Sequence, residues 1–256
     1  MLRGARGPEV RTLQEKLVRL GFGPLDVDGI FGRATETAVR LYQTGEGLVS
    51  DGIVGPRTRA ALAQEQAPSM RYPAIVHALE KKGYSVHHDG QINLVGVRTP
   101  TRQANAFDDW IYLAWVQQGQ WHYRRHAATT DPGAYWLAEP MRVEGTAIMV
   151  PGQYVDAYCW GLHRGQYETL VNRGAPVRVY RDANKDDILD MDPATIETGW
   201  GLNLHHAGRD SSQVNRWSAG CQVWARLADW EEAMRICKGS LADSFTYTLL
   251  LEEDTT

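Results

Sequence analysis

The 256-residue sequence holds only three cysteines, Cys159, Cys221 and Cys237. So few make no disulfide framework, and the odd count leaves at least one thiol free, as suits synthesis in a reducing compartment. No run of about 18 apolar residues occurs, so no membrane span is predicted. The opening stretch Met1-Leu2-Arg3-Gly4-Ala5-Arg6-Gly7-Pro8 lacks the apolar segment of a secretory leader. Neither charge sign dominates: the net charge of −4 leaves no footprint for nucleic acid or an anionic membrane. What remains is 43% hydrophobic and 23% charged residues, the make-up of a soluble globular protein. The length suggests one or two domains with a sizeable core. The expectation is a monomer made in the cytoplasm, with no nucleic-acid partner and no integral membrane segment.

Residues 1–64 read as a small helical module. Val10, Leu13, Leu17 and Leu20 share one helical face, and Gly21, Gly23 and Pro24 end that helix. An internal repeat follows: Asp28-Gly29-Ile30-Phe31-Gly32-Arg33-Ala34-Thr35 is echoed by Asp51-Gly52-Ile53-Val54-Gly55-Pro56-Arg57-Thr58. Each copy is an Asp-Gly turn, an apolar pair, a Gly and the start of a short helix. Ala38 and Leu41 form the buried face of one helix, and Ala61 and Leu62 that of the other. With Val10-Arg11-Thr12-Leu13-Gln14 and Tyr42-Gln43, the segment 6–63 resembles the peptidoglycan-binding domain 1 family. That resemblance implies a three-helix fold that binds cell-wall glycan or stem peptide. Candidate contacts near the turns and helix starts are Asp28, Phe31, Arg33, Tyr42, Asp51 and Arg57, most of which can equally be turn or core residues. The acidic Asp-Gly turns are chiefly a backbone device.

Residues 65–73, polar with two prolines, read as a linker. The remainder, 74–256, changes character. A helix is expected over Ala74–Gly83, and β-rich runs at 92–97, 110–116 and 121–123. Further strands are expected at 146–150, 154–160, 176–181, 200–205 and 245–251, with a helix over Asp229–Cys237. The fold class is therefore α+β: a small helical domain, then a mostly β domain with a few helices.

Within that domain, Gly201-Leu202-Asn203-Leu204-His205-His206 precedes Trp217-Ser218-Ala219-Gly220-Cys221-Gln222. A thiol attacks well only as thiolate, and a His within reach can be its base. A lone Cys beside a Gly is more often a small buried hydrophobe; the flanking pattern singles Cys221 out. A strand-like run ending at His205-His206, a loop, and Ser218-Ala219-Gly220-Cys221 resemble the catalytic motif of L,D-transpeptidases. The match departs at His206 (usually Gly or Ser), at Ala219 (usually His or Arg) and after Cys221, where Gln222-Val223 lacks the usual Arg or Asn. These departures bear on substrate detail more than on Cys–His chemistry. The runs at 130–133, 145–148, 151–154 and 161–165 are similar to phage and bacterial proteins carrying Trp-Ser-Ala-Gly-Cys-Gln, a divergent branch of that fold.

Two other constellations contain possible metal ligands. Asp182, Asn184, Asp186 and Asp190 alternate as calcium ligands do, but the sixth position is Asp187 rather than Gly and no Glu closes the loop. A solvated acidic turn is the favoured reading; calcium would be structural only, and no other cofactor is expected. His163, His205, His206 and Cys221 can ligate zinc, but adjacent histidines point to opposite faces of a strand and no His-Glu-x-x-His is present. No metal site is expected among them. No paired carboxylates suggest a lysozyme-type mechanism.

The resulting expectation is a peptidoglycan stem-peptide hydrolase, an endolysin-type cysteine enzyme reaching the wall by holin-type or other non-classical release. The alternatives are a cross-linking L,D-transpeptidase and an inactive wall-binding structural protein. Cys221 is the expected nucleophile and His205 its base, the ring oriented by the carbonyl of His206 as the resemblance implies. The N–H groups of Gly220 and Cys221 are expected to hold the oxyanion, with Ser218 shaping the turn. Trp217, Ala219 and His163 are expected to line the substrate pocket.

Overall fold

The computed structural model describes all residues except 20, 21, 23, 24, 46, 47, 64–72, 89, 118, 119, 241 and 256; for 19, 41, 44, 45 and 63 the backbone alone is described. The expected linker 65–73 therefore lies outside the described residues save for Pro73, as do Leu20, Gly21, Gly23, Pro24 and the side chain of Leu41. The chain divides into two compact units, Met1–Arg71 and Tyr72–Thr256.

In the first unit, α1 (Pro8–Arg19), α2 (Arg33–Gly45) and α3 (Pro56–Ala63) enclose a core of Val10, Leu13, Leu17, Phe31, Val39, Tyr42, Val54 and Leu62. The internal repeat has a structural counterpart. Gln14 of α1 reaches the first Asp-Gly turn: its Nε2 donates to Asp28 Oδ1 (2.8 Å), Ile30 O (3.0 Å) and Thr35 Oγ1 (3.1 Å), and its Oε1 accepts from Gly29 N (2.7 Å). Gln43 of α2 does the same at the second turn, with Asp51, Ile53, Thr58 and Gly52 at 2.8, 3.0, 3.1 and 2.8 Å. Gly29 and Gly52 share φ +74°, a left-handed conformation that costs glycine least. Each buried amide thus satisfies a turn that would otherwise leave polar groups unpaired beside the core.

The second unit begins with α4 (Ala74–Lys81), whose Ile75, Val76 and Leu79 are buried. Then come β1 (Asn93–Arg98), β2 (Asp109–Gln117), β3 (Gln120–Thr129), α5 (Ala134–Ala138), β4 (Thr146–Met149), β5 (Gly152–His163), β6 (Tyr167–Asn172), β7 (Val177–Asp182), β8 (Glu197–Gly199), β9 (Leu204–His206), β10 (Gln222–Trp224), α6 (Leu227–Gly239) and β11 (Ser244–Leu251). Eight strands close a barrel in the order β1-β11-β5-β6-β9-β10-β3-β2, and β4-β7-β8 form a separate three-stranded sheet. Closure removes the free edges a strand-rich chain must otherwise protect. The main core gathers Leu94, Ile111, Leu113, Tyr158, Leu170, Leu204, Trp224, Phe245 and Tyr247 with Met234 and Cys237 of α6.

The expected strand at 200–205 is shorter than its pattern: only Leu204–His206 pairs. Gly201 adopts φ +77° and its carbonyl accepts from Asn203 N, so the chain turns before it enters the sheet. Strands β6, β8 and β10 and the five-residue α5 lie outside the expected elements. β10 has three residues, too few for any period, and its pairing comes from neighbours distant in sequence.

Candidate active site

The site is built where β9 and β10 run parallel at the centre of the barrel wall. Gln222 pairs with Leu204, and Val223 with His205. Alternation along the strands turns Leu204, Gln222 and Trp224 to one face, all fully buried. The other face then carries His205 on β9 and Val223 on β10, with Asn203 and Cys221 immediately before the two strands. Cys221 sits one residue before β10 and His205 within β9, so the register brings the motif's two segments side by side. His206, on the opposite face, packs its ring against Tyr167 and Trp230, each with centroids 4.8 Å apart, and its Nδ1 donates to Ala207 O (2.6 Å). The Tyr167 ring also lies 5.7 Å from the His163 ring, so His206 borders the site through Tyr167.

Its backbone does act on the site. His205 Nδ1 lies 3.0 Å from the carbonyl oxygen of His206 and must donate to it, which leaves the proton off Nε2. That Nε2 is buried and has no hydrogen-bond partner. Burial pushes His205 down to about 3, reinforced by the neighbouring His163 and opposed by the His206 carbonyl. Cys221 keeps part of its surface open, while its thiol points at Gly201 O, 3.8 Å away. Its surroundings push the thiol up to about 11, mainly by desolvation; a backbone bond from Asn203 and the charge of Arg164 pull the other way. At rest the pair is accordingly a neutral thiol and a neutral imidazole, not a preformed ion pair.

The loop that presents Cys221 is fixed from below. Ser218, fully buried, donates from Oγ to Cys221 O (2.8 Å) and accepts from Gly220 N (3.1 Å). Its carbonyl accepts from Gly133 N (2.9 Å), in the Asp131-Pro132-Gly133 turn. That turn is anchored by the buried Arg98, 2.9 Å from Asp131 Oδ1 and donating to Thr130 O (2.9 Å) and Met149 O (2.8 Å). Gly220 has φ +117°, and a Cβ there would lie 2.5 Å from Ala147 O, so only glycine fits. One expectation needs correction. The Gly220 N–H is consumed by Ser218 Oγ and does not face an oxyanion; of the two N–H groups expected there, only that of Cys221 remains.

The structure places the other candidates plainly. Trp217 is exposed and its ring lies over Gly208, while Ala219 is half-buried beside the loop. His163 stacks on His205 with centroids 4.1 Å apart and planes 27° apart, at the centre of the site. In the first unit Phe31 and Tyr42, each 1% exposed, are core residues and cannot be wall contacts. Asp28 and Asp51 serve their turns. The Gln14 amide leads in holding Asp28 below its ordinary range, and the Ile53 N–H leads for Asp51. Arg33 and Arg57 stand exposed at the starts of α2 and α3. In the acidic loop, Asn184 Nδ2 donates to Asp186 and Asp190, both at 2.9 Å, and Asp190 N donates to Asp182 Oδ2 (2.9 Å). Among the described residues no three His, Cys, Asp or Glu side chains are grouped to hold a metal ion.

Three neighbours of Cys221 carry no sequence motif: Tyr158, which donates to Leu202 O (2.8 Å), Tyr167 and Asn203. The run Tyr167–Asn172 places Tyr167, Thr169 and Val171 at alternate positions shortly after Gly165, a strand signal that points to Tyr167.

Comparison with known proteins bears mostly on the first unit. Residues 6–62 match the family described as putative peptidoglycan binding domain. The chain is 37% identical over 87 residues to a spore cortex-lytic enzyme of Halalkalibacterium halodurans, covering 34% of this chain and 26% of that protein. It is 48% identical over 56 residues to the N-acetylmuramoyl-L-alanine amidase CwlM of Mycobacterium tuberculosis, covering 22% of this chain and 14% of that one. The chain thus spans about a quarter or less of these relatives. Among solved structures, an L,D-transpeptidase of Xylanimonas cellulosilytica is similar over 97% of this chain and 96% of its own, at 21% identity and a TM-score of 0.39. A Burkholderia AP3 phage endolysin is 30% identical over 37% of this chain and 44% of its own, with a TM-score of 0.25.

Proposed function

With residues 6–62 matching the peptidoglycan-binding domain family, we propose that the chain is a cell-wall lytic cysteine peptidase of the endolysin type. Its second unit cleaves stem peptides that its first unit keeps close. The observation that carries this reading is the parallel register of β9 and β10, which sets the strand bearing His205 beside the segment that Cys221 opens, with the His206 carbonyl fixing the imidazole so that Nε2 is the free base.

Cys221 Sγ attacks the carbonyl carbon of the scissile peptide bond as His205 Nε2 takes the thiol proton. Because burial keeps both groups neutral at rest, deprotonation accompanies attack. The Cys221 N–H faces the developing oxyanion. The tetrahedral intermediate expels the amine, which leaves with the proton from His205, and a thioester remains on Cys221. Water, deprotonated by the same Nε2, releases the shortened stem and the free thiol. The family resemblance points to the L,D bond after the diamino acid of the stem. If a neighbouring stem amine replaces water, the same intermediate yields a cross-link, so the acceptor alone separates hydrolase from transpeptidase.

Tethering by the first unit raises the local concentration of stem peptides without new contacts at the site. The test is the turbidity of purified sacculi. Wild type is expected to clear them, and Cys221→Ala and His205→Ala to bind without clearing. Clearing by Cys221→Ala would end the thiol mechanism.

A further inference from the structure

The stacked partner of the proposed base is held in one tautomer by a chain of two asparagines. The backbone N–H of Asn172 donates to Asn203 Oδ1 (3.0 Å). A backbone N–H can only donate, so the carbonyl end of the Asn203 amide faces Asn172 and its Nδ2 faces His163 Nδ1, 3.2 Å away. An amide nitrogen also only donates. His163 Nδ1 is therefore an acceptor, and the ring proton sits on Nε2. Asn172 is itself fixed: its Nδ2 donates to Ala157 O (3.0 Å) and Ala175 O (2.8 Å), and its Oδ1 accepts from Gly201 N (3.0 Å).

The Nε2–H that results has no protein acceptor among the described residues. It also does not belong to the sealed polar atoms left without a partner, so the 8% of His163 that is exposed includes this edge of the ring. Apart from the Cys221 N–H, three donors around the thiol are spent: Gly220 N on Ser218 Oγ, His205 Nδ1 on His206 O, Tyr158 Oη on Leu202 O. A ring N–H kept pointing outward beside the proposed base, at the cost of two ordered asparagines, is a group in want of an acceptor.

We propose that His163 Nε2–H donates a hydrogen bond to a carbonyl oxygen of the stem peptide bound at Cys221, with Asn203 as the positioning residue that sets its tautomer. This rests on the cysteine-peptidase reading above. Burial also pushes His163 down to about 4, so the ring stays neutral and adds no positive charge beside His205 as that ring takes its proton. The neutral ring is also a stacking surface for the imidazolium.

Two measurements on the full chain separate this donor from a merely packed ring. His163→Phe keeps a stacked ring and removes the donor. Sacculus hydrolysis is expected to fall at least about tenfold, with a melting temperature lowered only by the loss of the one bond from Asn203, and His163→Gln, which restores an N–H, to recover part of the activity. Full activity of His163→Phe would overturn the proposal while leaving the Cys–His reading intact. The second measurement needs no turnover: nitrogen-15 NMR of the imidazoles in Cys221→Ala protein with a synthetic stem tetrapeptide. A His163 protonated at Nε2, whose Nε2 resonance moves on peptide addition, is expected. A proton on Nδ1, or an Nε2 resonance indifferent to saturating peptide, would overturn the assignment whatever the activity assays show. Wild type without turnover would instead count against the peptidase reading alone.

Discussion

The burial of His205 makes a prediction about acid stability that can be worked through. Its imidazole is 2% exposed and is pushed from an ordinary 6.5 to about 3, first by desolvation and then by His163. Above the ordinary value both folded and unfolded chains hold it neutral, and it contributes nothing to pH dependence. As pH falls below 6.5 the unfolded chain takes a proton there and the folded chain does not. Stability is therefore lost progressively until pH reaches about 3, where the folded ring also titrates. Between pH 6.5 and about pH 4.5 lie about two pH units, so the loss from this one residue is roughly 2–3 kcal/mol. Other groups titrate in the same range. Glu232, held down to about 2 chiefly by its bond from His126, loses stability too, whereas Asp131, raised to about 7 by burial, gains it. The assay must therefore be differential: urea unfolding of wild type and His205→Gln at about pH 7.5 and about pH 4.5. The stability difference between the two proteins is expected to shift by roughly 2–3 kcal/mol against wild type on acidification. A shift under about 0.5 kcal/mol would mean that His205 titrates as an ordinary exposed imidazole, and the neutral resting pair would be wrong.

Further expectations follow from the same contacts. Cys221→Ser should keep the fold and sacculus binding but lose hydrolysis by roughly a thousandfold or more, as loss of a nucleophile does. A Cys221→Ala/His205→Ala double variant should be scarcely worse than either single variant in a muropeptide release assay, because nucleophile and base act as a unit. Gly220→Ala introduces a Cβ 2.5 Å from Ala147 O at a positive φ. It should destabilise by about 2–5 kcal/mol in urea titrations and abolish activity, the sum of backbone strain and overpacking. Gln14→Ala and Gln43→Ala each strip one Asp-Gly turn of its amide partner. Each should cost about 1–3 kcal/mol in the unfolding of the first unit, by similar amounts if the two turns are equivalent.

The repeat in the first unit was legible because two turns of the same chemistry recur, and Asp-Gly followed by a helix start is a local signal. The role of Gln14 and Gln43 was not: an amide that bridges from a helix to a turn 14 or 8 residues on leaves no period in the sequence. Phe31 and Tyr42 were open between core and surface because an aromatic beside a turn fits either. In the second unit the longer strands showed through their β-branched and aromatic runs, but β10 and the pairing of β9 with it exist only through barrel closure. Cys221 and His205 stand out by motif, whereas the bond from Gly220 N to Ser218 Oγ depends on a positive φ that no sequence pattern marks. His163 was named as a pocket residue, yet its stacking and tautomer depend on Asn172 and Asn203, which no motif marks.

The most direct test of the central claim is mass spectrometry of muropeptides released from purified sacculi by wild type and by Cys221→Ala. Stems shortened or freed of cross-links by wild type alone are predicted, and their ends name the bond. Unchanged muropeptides with wild type, or identical products from Cys221→Ala, would contradict a cysteine peptidase at this site.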